Sequence, residues 1–293
     1  MNAPVPPPFP TNPKFGQYYG NWVWSGSRWV CTNTNGVRIV VQTFLASAPY
    51  MPSPGLISLI AECHGGGAGG GGAIGSAAPG VEGWQTGGGG GGAGGYSRIA
   101  LAAGLVLGGV NVTIGAGGAE GTWVAGVNGG DGEATSFGAF CVANGGKGGI
   151  SATPAGGIGG LGGAVGVGDV ALPGNPGTSV AGSLNNPGVA GGSIVGGNGG
   201  VGFFGGGGTG AIAVEGGSWP RLANAGAPNS GGGGGGGAST DTGYFNQGSP
   251  GGSGICVVTE FCWADTIDDG CGCGPTSGQA RVAIGGPQGW DND

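Results

Sequence analysis

Between about Gly145 and Gly237 a period of three constrains the fold more than any other feature. Its clearest run is Gly156-Gly157-Ile158-Gly159-Gly160-Leu161-Gly162-Gly163-Ala164, where glycine fills two of every three positions and a small apolar residue the third. The pattern returns at Gly145-Gly146-Lys147-Gly148-Gly149-Ile150 and at Gly196-Gly197-Asn198-Gly199-Gly200-Val201. Neither the helical nor the strand period gives this spacing. It belongs to the extended left-handed helix, with three residues per turn and a rise of ~3.1 Å per residue. Every third side chain then lies on one edge, and glycine on the other two lets backbones approach and bond. Collagen needs an unbroken register, which fails here at Ser151–Ala155 and across Gly166–Val195. The expected arrangement over residues 145–237 is a lattice of short polyglycine II helices packed side by side.

Glycine supplies 85 of the 293 residues, roughly four times its ordinary share of about 7%. Charged residues make up only 7%, less than a disordered chain usually carries. None falls between Asp169 and Glu215, a span that still holds Val180, Leu184, Ile194, Val195, Phe203 and Phe204. A flexible low-complexity linker does not call for such apolar positions. Glycine loses more backbone freedom on ordering than any other residue, and each hydrogen bond returns only ~0.5–1.5 kcal/mol. A lone helix of this kind therefore does not persist. A bundle does if stable structure holds its ends.

The flanks supply that structure. Residues 1–13 form a proline-rich arm. Residues 14–35 are aromatic, and Trp22-Val23-Trp24-Ser25-Gly26-Ser27-Arg28-Trp29-Val30 reads as two short strands joined by a Ser-Gly turn. Trp22, Trp24 and Trp29 serve either as an aromatic docking platform or as the core of a mini β-domain. Strands are expected at Val37–Phe44, Leu56–Ala61, Tyr96–Ala102, Val110–Ile114 and Ile255–Phe261. The fold class is all-β: a β-sandwich over residues 36–261 with glycine-rich insertions, followed by a cysteine-containing tail over 262–293 in which Arg281–Ile284 reads as a short closing strand.

The order Leu56–Cys63, glycine tract, Gly94-Gly95-Tyr96-Ser97-Arg98, Val110–Gly118, Thr135-Ser136-Phe137-Gly138, Ala143–Gly146 and Gly251–Val258 resembles the glycine-rich domain of bacteriophage tail and fibre proteins. The resemblance covers roughly Gly36–Phe261. It implies a virion component at a tail tip or fibre, or a fibre on the capsid, that mediates attachment to a host. Oligomeric state stays open, with a homotrimer offered only by analogy with fibres.

Little in the chain points to chemistry. A net charge of −7 argues against nucleic acid. No apolar run approaches the ~20 residues of a membrane span. Met1–Pro10 lacks the basic start and apolar centre of a signal peptide, so synthesis in a host cytoplasm is expected. His64 is the single histidine. On a strand it shares a face with Glu62 while Cys63 points away, and a structural or solvent-facing role is expected. Repeated Gly-x-Gly-x-x-Gly matches carry no information in such a chain. Lys147 lacks the following Ser or Thr of a phosphate loop. Cys256, Cys262, Cys271 and Cys273 match no familiar zinc spacing; free thiols, disulfides among Cys262, Cys271 and Cys273, and a metal site stay open.

The expectation is thus a structural protein, not an enzyme, with no cofactor. Its partners would be other virion proteins and a host-surface glycan or outer-membrane receptor. Trp84, Trp219, Tyr244 and Phe245 are candidate contact residues, or else caps of the lattice. The alternatives are a cement protein without a receptor role and an ice-binding protein with a flat, regular face.

Overall fold

Aromatic and β-branched runs set the strands. β1 (Tyr18–Tyr19), β2 (Trp22–Trp24) and β3 (Trp29–Cys31) form a small antiparallel sheet, with Trp24 opposite Trp29. β4 (Val37–Phe44), β5 (Ala48–Tyr50) and β6 (Leu56–His64) follow. Next come β7 (Trp84–Gly87), β8 (Tyr96–Ala102), β9 (Val110–Thr113), β10 (Thr135–Phe137) and β11 (Cys141–Ala143). Seven short strands punctuate the glycine-rich region: β12 (Gly156–Gly157), β13 (Val170–Leu172), β14 (Val180–Ala181), β15 (Ser183–Leu184), β16 (Ser193–Val195), β17 (Ile212–Val214) and β18 (Ala238–Ser239). β19 (Ile255–Trp263) closes the series. The computed structural model describes residues 37–73, 84–122, 127–153, 155–181, 183–184, 193–214, 221–240 and 247–263. Ahead of them it describes positions 12 and 14 and the strands 18–19, 22–24 and 29–31. Among these residues the fold is mostly β with antiparallel pairing, and the one helical turn is a 3₁₀ turn at Ala103–Leu105.

Two sheets carry the main core. One runs β13-β8-β6-β19-β4 and the other β11-β10-β9-β5. Alternation along β6 and β19 sends Leu59, Ala61, Cys63, Cys256 and Val258 inward, where they meet Tyr50, Val112, Phe137 and Cys141 of the second sheet. Tyr50 and Phe137 touch edge to face with ring centroids 5.1 Å apart. The core also buries a carboxylate. Glu260 accepts hydrogen bonds from Tyr50 Oη at 2.6 Å, Ser53 Oγ at 2.6 Å and the Ser53 N–H at 3.0 Å. Burial pushes its carboxyl up, but the bonds from Ser53 and Tyr50 outweigh that and hold it below the usual range. Burial, then Glu260 as acceptor, pushes the Tyr50 phenol up.

β6 and β8 lead straight into and out of the glycine tracts. Along residues 65–72 the donors change partner with each residue and return to the same neighbour after three. Gly66 and Gly69 donate to Glu133 and Gly130, Gly67 and Gly70 to Gly252 and Ser249, Ala68 and Gly71 to Gly92 and Gly89. The carbonyls are used in the same rhythm: Gly67 and Gly70 accept from Gly118 and Gly121, Gly66 and Gly69 from Gly146 and Gly149, Ala68 and Gly71 from Gly234 and Gly237. Six neighbouring segments therefore surround this one, three accepting its N–H bonds and three donating N–H bonds to its carbonyls. Residues 88–95 and 231–237 are bonded on six sides in the same way.

The bonded region is thus wider than residues 145–237, reaching back to Gly65 and forward to Gly254. Its interior is not made of the Gly-Gly-X runs. The fully enclosed segments contain only glycine apart from Ala68 and Ala93, and all their residues are buried. The reason is close approach. A Cβ on Gly67 would stand 2.1 Å from the carbonyl oxygen of Gly232, and one on Gly70 2.1 Å from that of Gly235.

Candidate functional site

The Gly-Gly-X runs lie on the surface of this body. Gly160 and Gly163 are buried and donate to Gly90 and Ala93, whereas Ile158 and Leu161 between them are 64% and 70% exposed. Val201 follows suit at 55%. The period of three therefore sorts positions into two that face the backbone of a neighbour and one that faces outward. The apolar third residues form an outer row and do not fill the interior. Between two such runs, Lys147 Nζ lies 2.7 Å from Asp131 Oδ2, and the Gly148 N–H donates to Asp131 Oδ1. These contacts, with Lys147 foremost, lower the Asp131 carboxyl.

A second feature stands where sheet meets glycine tract. β6 ends on His64 and β8 begins on Tyr96, paired across the strands. As the strand period requires, Glu62 and His64 lie on the face opposite Cys63. His64 is buried, contrary to a solvent-facing role, with Nδ1 3.0 Å from the Gly65 carbonyl oxygen. Its Nε2 accepts the backbone N–H of Phe203 at 2.8 Å. These partners assign the proton to Nδ1. Burial lowers the affinity of the ring for a second proton, partly opposed by the Gly65 bond. Gly231 passes over the ring with φ +65°, and a Cβ there would fall 2.0 Å from Nδ1, so both conformation and space require glycine.

Held this way, the turn after Val201 presents two rings. Phe203 stacks on Tyr96 at 4.1 Å with 21° between planes, and Phe204 stands at 83° to Phe203 with centroids 5.2 Å apart. Phe204 also meets the His64 ring edge-on at 6.0 Å. Tyr96 is buried and donates its hydroxyl to Glu62 Oε1. Phe203 and Phe204 remain 59% and 42% exposed. Arg98, exposed, lies opposite Glu62 in the register.

Trp84 lies in β7; Trp219, Tyr244 and Phe245 lie outside the described residues. Trp22 and Trp24 lie in β2 and Trp29 in β3, without described side chains. Cys262 is buried in β19, while Cys271 and Cys273 lie outside the described residues. Cys63 and Cys256 are cross-strand neighbours with sulfurs 3.6 Å apart inside the core. Among the described residues no group of His, Cys, Asp and Glu is arranged to hold a metal ion, and no helix is long and apolar enough to cross a membrane. Sequence reasoning gave Phe203 and Phe204 only as apolar content. The signal available was that they are adjacent aromatics in a charge-free span, out of step with the period of three.

A family model described as a glycine-rich domain matches residues 51–260. Comparison with curated proteins finds no match.

Proposed function

This chain belongs to the glycine-rich domain family, and we propose that it is a structural protein of a bacteriophage virion, part of a tail fibre or tip or a fibre on the capsid, that mediates attachment to the host surface. In this reading the bonded segments are polyglycine II helices, and the protein acts by geometry and not by catalysis. The observation that carries the proposal is the six-sided bonding of residues 65–72, 88–95 and 231–237. A body whose interior is held mainly by main-chain bonds leaves most of its outward positions free to vary. Such a body suits display: the outer rows and the Phe203–Phe204 turn meet the partner while the interior stays fixed. The ordered motifs running from Leu56 to Val258 support the phage context. Its partners are other virion proteins and a host glycan or outer-membrane receptor; a homotrimer is the assembly that analogy with fibres offers. An ice-binding role calls for a repeated row of small or Thr residues, and the outward Ile158, Leu161, Lys147 and Ile150 weigh against it.

The experiment is gold-labelled antibody on intact particles, paired with adsorption of particles blocked by the Fab. Label on a fibre or tip together with reduced adsorption is expected. Unlabelled particles would overturn the reading. Label with undiminished adsorption would make the chain a cement protein.

A further inference from the structure

From the arrangement of Phe203, Phe204, Tyr96, Glu62 and Arg98 we infer a saccharide-binding corner that takes the pyranose ring of a surface glycan. This rests on the attachment reading and names the chemistry of the partner. Three observations carry it.

The first is that the two phenylalanines are costly where they stand. Phe203 and Phe204 leave 59% and 42% of their surface in water, apolar area whose burial would be favourable. A turn between two glycine tracts needs no aromatic at either position to close.

The second is that the rings are held in place before any ligand arrives. The Phe203 backbone is tied to His64 Nε2, its ring lies on buried Tyr96, and Phe204 is braced against both Phe203 and His64. Phe203 therefore keeps one face on Tyr96 and turns the other away. A fixed ring face is what the C–H side of a pyranose packs against, and fixing it in advance lowers the entropy lost on binding.

The third is the polar rim. The Glu62 carboxylate, oriented by the Tyr96 hydroxyl, lies in β6 opposite Arg98 of β8, with Tyr96 two positions along from Arg98 on the same face. A carboxylate accepts sugar hydroxyl protons, and a guanidinium donates to sugar oxygens. Ring face and the two facing charged groups together match the two sides of a saccharide, whereas an apolar peptide offers nothing to hydrogen-bond the exposed guanidinium.

The test uses the purified full chain and a panel of methyl pyranosides and linear hexasaccharides. Saturation-transfer difference NMR reads the sugar protons, and chemical shifts read the Phe203 and Phe204 rings. Transfer to the C–H protons of one sugar face is expected, with the Phe ring signals shifting in step. Phe203→Ala is expected to weaken binding about tenfold, and Phe203→Trp to preserve it. Arg98→Gln is expected to change which sugar of the panel binds best. Transfer that is absent across the panel, or equal in parent and F203A, would overturn the inference. Ring shifts produced by an apolar peptide and by no sugar would overturn it in favour of a protein receptor. None of these results bears on whether antibody finds the chain on particles, so the attachment reading stands or falls separately.

Discussion

Phe203 donates its backbone N–H to Nε2 of His64 at 2.8 Å, across 139 residues of sequence. The bond joins the last residue of a core strand to a surface turn. It works only while the imidazole is neutral, because a second ring proton would point at the Phe203 N–H.

Two outcomes follow from that bond. The chain has a single histidine, so one imidazole titrates. Burial lowers its folded pKa below the unfolded value of about 6.5. Its contribution to stability is therefore complete above about pH 6.5 and is lost as pH falls through the lower folded value. A ¹⁵N titration should place the midpoint below 6.5; a midpoint at or above it would contradict the assignment. His64→Leu leaves the Phe203 N–H unpaired and should cost about 1–3 kcal/mol in urea unfolding at pH 7.5.

Glu260 should produce a separate acid transition. Its folded pKa is lowered, with burial acting upward and the bonds from Ser53 and Tyr50 outweighing it. The stability it supplies is present above an unfolded value of about 4.3 and is lost as pH falls through the folded value. Urea midpoints measured from pH 6 to pH 3 should fall more steeply for the parent than for Glu260→Gln. Identical slopes would show that the carboxylate is not bonded as described.

Two glycine substitutions separate the interior of the lattice from its edge. A Cβ at Gly70 would stand 2.1 Å from the Gly235 carbonyl oxygen, and backbone does not yield as a side chain does. Gly70→Ala should abolish folding or cost more than about 4 kcal/mol. Gly206 has nothing within 4 Å of the same point, so Gly206→Ala should change stability by less than about 0.5 kcal/mol. Equal effects on the urea midpoint would mean that the close packing of segments is wrong.

The strands were legible because period-two alternation is the same signal in sequence and structure. Val37–Phe44 formed as written, and Leu56–Ala61 and Ile255–Phe261 ran on to His64 and Trp263. The Gly-Gly-X period was legible as a spacing but not as a location. It marks segments with one side open, since a residue such as Leu161 needs somewhere to go. Segments enclosed on six sides have no such opening, so 65–72, 88–95 and 231–237 read as glycine runs, broken only by Ala68 and Ala93, in which no period can be seen. The Phe203–Phe204 corner was not legible because its partners, His64 and Tyr96, are brought to it by chain crossings that no local pattern records.

Amide hydrogen exchange across residues 65–72, 88–95 and 231–237 tests the central claim most directly. These segments carry almost no side chain, so only the main-chain bonds to their neighbours can protect them. The account predicts exchange as slow there as in β6 and β19, through the same global opening. Fast exchange in the glycine segments while β6 and β19 stay protected would show a folded pair of sheets with loose glycine loops, and would contradict it.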